Sequence, residues 1–224
     1  MRLLIAIKSC RHDRDRGHHD AIRETWGRDV TEADLRFFVG QGNTISDLAE
    51  DEEVVNVLDD YESLPLKTEA ILRWFLSQNY DYVFLCDTDT YIVVPKLMKC
   101  GFEKVDYMGR NTWPLGVTRR YASTDRHGNI WPTFDAFAWM SGGYGYFLSR
   151  KAAEYVIDNM PELWAEDMCV GQVLGPLYQQ GIIKIQNMEP GITFHFPAHE
   201  YKSGYDLKFG WLQTMHWASR WEER

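Results

Sequence analysis

Residues 82–89 are Tyr82-Val83-Phe84-Leu85-Cys86-Asp87-Thr88-Asp89, a short apolar run that ends in two carboxylates. An uninterrupted apolar run of this length is typical of a strand that is buried on both faces of a parallel sheet. Ligands of open α/β sheets bind outside the carboxyl ends of the strands. The stretch therefore predicts a strand over residues 82–85, followed by a ligand site at Asp87 and Asp89.

The flanking segments predict an α/β fold with a central, mainly parallel sheet flanked by helices. Apolar runs predict further strands at residues 3–7, 35–39, 54–57, 105–108, 182–185 and 192–194, and one after a glycine-rich turn within 142–148. Helical spacing predicts helices at about 20–26, 66–76 and 151–159. We expect the charged residues 11–17 to form a loop and Gly40 to end the second strand. Without repeats or linkers, residues 1–224 are expected to be one domain.

Composition excludes some classes of function. The chain has 224 residues and a net charge of −9, which argues against a nucleic-acid binder. None of its cysteines forms a C-x-x-C motif, which favours free thiols in a reducing compartment over zinc or a disulfide framework. Aromatic residues make up 14% of the chain and suit both a ring-rich core and a sugar-binding cleft. No apolar stretch is long enough to cross a bilayer.

Candidate metal ligands are Asp87, Asp89 and His195. Two carboxylates one residue apart at a strand end can share a hard cation such as Mg²⁺ or Mn²⁺, which would neutralise charge on a departing diphosphate. Imidazole is a suitable partner ligand, and His199 and His216 are alternatives to His195. The competing interpretations are a solvated acidic turn and a structural histidine.

Other polar groups are candidates for acid–base chemistry and for phosphate binding. Glu166-Asp167 follows an apolar segment, so one carboxyl group could have a raised pKa and act as a general base. The alternative is an acidic pair in the first turn of a helix at 168–174. Basic side chains that could meet a phosphate or a base, rather than only solvate the surface, are Arg11, Arg14, Arg16 and Lys67.

Five motifs in order resemble the β-1,3-galactosyltransferase and β-1,3-N-acetylglucosaminyltransferase family, including its Fringe-like relatives, over residues from about 19 to about 195. The matching stretches are His19-Asp20-Ala21-Ile22-Arg23-Glu24-Thr25-Trp26 (R-x-A-I-R-x-T-W), residues 59–68 (D-S-Y-x-N-L-T-L-K-T), Asp87-Thr88-Asp89-Thr90-Tyr91 (D-D-D-V-F/Y), Gly143-Tyr144-Gly145-Tyr146 (G-x-G-Y) and Glu166-Asp167-Met168-Cys169-Val170-Gly171 (E-D-V-x-x-G).

The resemblance implies a GT-A fold, a UDP-sugar donor and inversion at the anomeric carbon. It implies Mn²⁺, or Mg²⁺, held chiefly by Asp89 with His195 as partner, and Asp87 near the ribose or the metal. Asp167 would deprotonate the hydroxyl of a glycan or glycoprotein acceptor. Residues expected to contact the donor are Ser9, Arg11, Tyr61, Lys67, Asp87, Thr88, Asp89, Gly143 and Glu166.

Departures from the family pattern shape further expectations. Thr88 replaces the middle aspartate of D-D-D, Met168 replaces a valine and His19 replaces an arginine. The expected membrane anchor, stem and lumenal cysteines are missing. A compact bacterial or viral relative, or one domain of a larger protein, is therefore expected rather than a Golgi enzyme, with a cytoplasmic location.

Two other functions fit parts of the sequence. Asp87-Thr88-Asp89-Thr90 also fits the D-x-D-x-T motif of haloacid dehalogenase-type phosphatases. Their nucleophile normally follows the first strand of the fold, whereas two or three strands precede Asp87 here. A non-catalytic carbohydrate-binding module suits the many tryptophans but gives no reason for the strand-end carboxylates.

Overall fold

The structure is a computed structural model that describes residues 1–41, 47–122, 124, 128–130, 132–161, 163–196 and 203–212. The strands are β1 (Leu3–Lys8), β2 (Asp34–Gln41), β3 (Glu52–Leu58), β4 (Tyr82–Asp87), β5 (Thr90–Ile92), β6 (Tyr107–Gly109), β7 (Thr118–Tyr121), β8 (Phe134–Phe137), β9 (Tyr146–Ser149), β10 (Ile185–Asn187) and β11 (Thr193–His195). The α-helices are α1 (Arg11–Asp15), α2 (His18–Arg23), α3 (Leu64–Ser77), α4 (Val94–Leu97), α5 (Arg150–Asn159) and α6 (Glu166–Gln179), and residues 204–212 are also helical.

The central sheet has the strand order β10-β6-β9-β4-β1-β2-β3 within the described residues. Strand β1 lies in its middle and pairs in parallel with both β2 and β4. Strand β9 alone runs antiparallel to its neighbours β4 and β6. This arrangement confirms the predicted α/β fold with a mainly parallel sheet flanked by helices.

Both faces of the sheet are covered, which explains the uninterrupted apolar runs. On one face, Ile5 and Ile7 pack in a cluster with Ile22 of α2 and Trp211 of the last described helix. On the other face, side chains of β1 and β4 pack with residues of α3, α5 and α6. Burying each large aliphatic or aromatic side chain stabilises the fold by about 1.5–3 kcal/mol.

The expected loop at residues 11–17 is wrong in part, because Arg11–Asp15 forms helix α1. The sulfur of Cys10 accepts a hydrogen bond from the backbone N–H of Asp13 and caps this helix. Arg11 and Asp15 form an i,i+4 ion pair with an N–O distance of 3.4 Å, a spacing that supports helices. The charges that suggested a loop are therefore paired along a short helix.

Some predicted strand limits are also wrong. Gly40 does not end its strand, since β2 continues to Gln41 and the N–H of Gly40 donates to Asp59 Oδ1 at 2.8 Å. The strands predicted at 105–108 and 182–185 are shifted toward the C-terminus, since β6 is Tyr107–Gly109 and β10 is Ile185–Asn187. These two strands pair in parallel from Tyr107 and Ile185 onward, so each sets the limits of the other.

Two small sheets lie outside the central one. Strands β5 and β11 pair antiparallel, with His195 opposite Thr90, and β7 and β8 form an antiparallel pair. All four cysteines have free thiols, and Cys86 is buried. Of the described helices, none combines the length and the apolar character needed to cross a membrane.

Candidate active site

A cleft of about 410 Å³ lies at the carboxyl ends of β1, β3 and β4. It contains most of the residues expected to bind a donor, together with others that the sequence analysis did not select. Its lining residues are Lys8, Ser9, Cys10, Asp13, Asp59, Asp60, Tyr61, Leu64, Lys67, Asp87, Thr88 and Asp89. The position matches the general rule that ligands of α/β sheets bind where the strands end.

The lining of the cleft is acidic. Five aspartates and two lysines contribute to it, and both lysine ammonium groups already contact carboxylates. Lys67 Nζ contacts Asp59 Oδ1 at 2.5 Å and the Ser9 carbonyl oxygen at 2.7 Å. An anionic ligand in this cleft would therefore need additional positive charge.

Lys8 contacts both Asp87 at the end of β4 and Glu166 in α6. Its buried Nζ lies 3.1 Å from Asp87 Oδ1 and also donates to Glu166 Oε1. Burial alone would lower the pKa of Lys8, but the charges of Asp87 and Glu166 outweigh it and raise that pKa above its ordinary value. The sequence signal for this role was a single lysine at the end of an apolar strand.

Asp59 follows β3 and bonds to residues of β2, α1 and α3. Its carboxylate accepts hydrogen bonds from the N–H groups of Gly40 and Arg11 and from Lys67. Burial would raise the pKa of Asp59, but these donors outweigh it and lower the pKa. Lys67 thus lies in the cleft, with its charge neutralised by Asp59.

The segment from Asp87 to Asp89 turns directly out of β4. The N–H of Asp87 lies 3.3 Å from Thr90 Oγ1, and the hydroxyl of buried Thr88 donates to Asp13 Oδ2 at 2.7 Å. Loss of hydration and the nearby charges of Asp89 and Glu166 raise the pKa of Asp87 to about 6, although Lys8 opposes the shift. The hydroxyl of Thr88 can donate to Asp13, whereas an aspartate at position 88 would repel the Asp13 carboxylate.

Asp89 and His195 lie side by side, with 3.5 Å between Asp89 Oδ2 and His195 Nε2. Gly143 backs the imidazole so closely that a Cβ there would lie 2.8 Å from Nε2. A carboxylate, an imidazole and nearby Asp87 form a donor set that suits Mn²⁺ or Mg²⁺ completed by phosphate oxygens. Among the described residues, no group of three or more His, Cys, Asp or Glu side chains has metal-site geometry by itself.

Glu166 and Asp167 form the first turn of α6, so the helix interpretation of this pair is correct. Glu166 is buried and also accepts from the Tyr146 hydroxyl at 2.6 Å. Asp167 is half-buried, and its Oδ2 accepts from the N–H of Gly142 at 2.9 Å. Loss of hydration and the charge of Glu166 raise the pKa of Asp167 to about 7, which suits a general base.

Several candidates lie outside the cleft lining. Arg11 pairs with Asp15, Arg14 lies 2.9 Å from Glu52 Oε2, and Arg16 lies 3.0 Å from a ring nitrogen of His12. Gly143 packs against His195, which lies beside Asp89 of the lining. Glu166 contacts Lys8 of the lining. His199 and His216 lie outside the described residues. The sequence analysis missed Lys8, Asp13 and Asp59 as lining residues.

Comparison with known proteins gives one family match. A model of the galactosyltransferase family matches residues 18–180. No curated protein sequence is significantly similar to the chain.

Solved structures resemble the fold at low sequence identity. The 4-diphosphocytidyl-2C-methyl-D-erythritol synthase from Anaerococcus prevotii DSM 20548 has a TM-score of 0.51 and 12% identity, covering 95% of this chain and 96% of that one. A197 from STIV has a TM-score of 0.42 and 17% identity, over 88% and 86% of the two chains. The likeness to the synthase concerns the fold alone.

Proposed function

This chain belongs to the galactosyltransferase family and is thus a glycosyltransferase, and we propose that it is metal-dependent and inverting. In this proposal it moves a sugar from a UDP-sugar to a hydroxyl group of a glycan or glycoconjugate.

The charge of the cleft is the observation that carries the metal dependence. Five aspartates line it, and its two lysines are paired with carboxylates. A nucleoside diphosphate brings further negative charge, so its binding would be repulsive without a cation. A divalent ion held by the aspartates would offset that repulsion.

Asp89, His195 and Asp87 are the proposed ligands. Asp89 is buried and lies beside His195, so these two groups are preorganised. One carboxylate oxygen of Asp87 contacts Lys8 Nζ. In this proposal the Asp87 carboxylate contacts either the ion or the ribose. When bound, the ion stabilises the negative charge that develops on the departing diphosphate.

Asp167 is the proposed general base. Its carboxylate takes the proton of the acceptor hydroxyl while that oxygen forms a bond to the anomeric carbon. The bond from that carbon to the diphosphate oxygen breaks, and its electron pair leaves with UDP. Attack in line with the leaving group inverts the anomeric carbon. The hydrogen bond from the N–H of Gly142 fixes the carboxylate in place.

Alternative functions fit less well. Asp87 is the last residue of β4, the fourth strand among the described residues, whereas a phosphatase of the haloacid dehalogenase type places its nucleophile after the first strand. The family match supports an enzyme over a carbohydrate-binding module.

Calorimetric titration of the purified chain with UDP, in Mn²⁺ and again in chelator, tests the proposal. GDP and CMP are the controls for the base. We expect UDP to bind only in the presence of metal. Binding that is equally tight in chelator would remove the metal dependence, and binding of no nucleotide would remove the donor assignment.

A further inference from the structure

Ser9, His19 and Glu52 form a buried chain of hydrogen bonds that ends at the cleft. His19 Nε2 lies 2.6 Å from Ser9 Oγ, and His19 Nδ1 lies 2.7 Å from Glu52 Oε1. All three residues are buried, and Ser9 lines the cleft. His19 occupies the position where the family motif has an arginine, so the protein departs from the motif at this residue.

Neighbouring side chains fix both His19 and Glu52. The imidazole stacks on Phe37, with 4.1 Å between ring centroids and 21° between the planes. Glu52 accepts further hydrogen bonds from Arg14 and Arg23, each at 2.9 Å. The ring therefore has one orientation, and the carboxylate that it faces cannot turn away.

These contacts determine where the protons lie. Burial would raise the pKa of Glu52, but its hydrogen bonds outweigh burial and hold the pKa at about 2, so Glu52 only accepts. Burial lowers the pKa of His19, and the neutral ring must carry its proton on Nδ1 to donate to Glu52. Nε2 then accepts the hydrogen bond of the Ser9 hydroxyl, which also lies 3.3 Å from the Cys10 carbonyl oxygen. The lone pairs of Ser9 Oγ remain available as acceptors.

We propose that His19 and Glu52 are positioning residues that fix the Ser9 hydroxyl as a hydrogen-bond acceptor for an N–H or O–H group of the donor nucleoside. This inference rests on the proposed nucleotide-sugar donor. The ring N3–H of uracil is such a group, whereas N3 of cytosine is itself an acceptor. A ribose hydroxyl is the other source.

A serine hydrogen-bonded to a histidine that is in turn hydrogen-bonded to a glutamate also occurs in hydrolases, where the serine is a nucleophile. That chemistry requires donors that stabilise a developing oxyanion. Five aspartates line this cleft instead, and they would repel such a charge. The surroundings of Ser9 therefore favour recognition over nucleophilic attack.

Nucleotide titrations of the full chain in Mn²⁺ test the proposal with UDP, CDP, 2′-deoxy-UDP and 3′-deoxy-UDP. The variants are Ser9→Ala, His19→Phe and His19→Gln, with His12→Phe on exposed α1 as the matched control. We expect Ser9→Ala and His19→Phe to weaken UDP binding roughly three- to tenfold. His19→Gln, whose amide oxygen can accept the Ser9 proton, should retain most of the affinity.

The pattern across nucleotides identifies the group that Ser9 accepts from. A loss that is absent for CDP points to the base, and a loss that is absent for one deoxynucleotide points to that ribose hydroxyl. Unchanged affinities in Ser9→Ala, an equal loss for all four nucleotides, or Ser9-dependent hydrolysis of p-nitrophenyl acetate would overturn the proposal.

The ¹⁵N chemical shifts of the His19 ring provide a readout that needs no ligand and no variant. We expect the tautomer with the proton on Nδ1, and a proton on Nε2 would overturn the proposal. If the wild type binds no nucleotide, the proposed donor class fails as well. If it binds UDP but the tautomer or the selectivity is wrong, only the role of Ser9 fails.

Discussion

Asp87 and Asp89 are only two residues apart but have different surroundings. Asp87 contacts Lys8, and its pKa is raised to about 6. Asp89 is buried next to His195. A bound cation would gain more from Asp89, because this carboxylate is held in place beside a second ligand.

We predict that Asp89→Ala lowers metal-dependent turnover by roughly 100-fold or more, since it removes the central proposed ligand. Sugar transfer and Mn²⁺ binding measure the effect. Asp15→Ala is the control, because the ion pair of Asp15 with Arg11 is exposed, and such pairs contribute little. Near-normal turnover in the Asp89 variant would refute the ligand assignment.

We predict that kcat/KM rises with pH and levels off above about 7. Asp167 must lose its proton to act as a base, and its pKa is about 7. A pH–rate profile measures this dependence. At saturating Mn²⁺, Asp167→Asn should bind UDP normally but lose roughly 10²–10⁴-fold in transfer, with a flat profile. A variant that keeps both the rate and the slope would show that another group is the base.

Sequence spacing identified the residues of the site that lie on one strand end or one helix turn. Asp87 and Asp89 follow an apolar strand, and Glu166 precedes Asp167 on a helix, so local patterns were sufficient. Lys8 and Glu52 were missed, because their roles depend on partners distant in the chain. No local pattern indicates that Lys8 meets Glu166.

At the scale of elements, the β5–β11 pair brings His195 to Asp89. The register places His195 opposite Thr90, and the Thr90 hydroxyl donates to the Gly143 carbonyl at 3.0 Å. The glycine-rich turn and the strand pair therefore position the imidazole together.

We predict that Gly143→Ala weakens Mn²⁺ affinity roughly tenfold, because its Cβ would lie 2.8 Å from His195 Nε2 and displace the ring. Calorimetric titration with Mn²⁺ measures the change. Gly191→Ala serves as the comparison, since its φ of 82° strains an alanine but nothing lies within 4 Å. That variant should lose stability only. Equal Mn²⁺ affinity in both variants would contradict the role of Gly143.

Lys8 connects β1 to β4 and α6. We predict that Lys8→Met lowers the free energy of unfolding by about 3–5 kcal/mol, because it leaves the buried charge of Glu166 without its cationic partner. Denaturant titration measures the change. The double variant Lys8→Met/Glu166→Gln should recover part of it. Additive losses in the double variant would mean that the two residues do not interact energetically.

The periodicity of the chain was sufficient to predict most elements of the fold. Strands β1 to β4 and helices α3 and α5 lie within a few residues of their predicted limits, because their apolar side chains face a core. Helix α1 was missed, since it contains no buried residue and depends on charge pairing and a sulfur cap. Strand β10 was misplaced because its limits follow from pairing with β6.

At the scale of the whole molecule, the acidic cleft would link the proposed metal binding to pH. Below its pKa of about 6, Asp87 carries a proton that a cation must displace. We predict that Mn²⁺ raises the melting temperature more at pH 8 than at pH 5.5, with each shift measured against chelator at the same pH. Asp87→Asn should reduce this difference. An equal shift at both pH values would contradict the competition between metal and proton.

The distance in sequence between Lys8 and Glu166 has a consequence for synthesis on the ribosome. Strands β1 to β4, whose ends carry most of the cleft lining, leave the exit tunnel before α6 and pair with one another. The partner of Lys8, the proposed base and His195 are translated more than 70 residues after Asp89. During that interval Lys8 has only Asp87 of its two carboxylate partners, because Glu166 has not yet been translated. Domains generally fold as units during translation, so the enzyme would gain activity in a single late step.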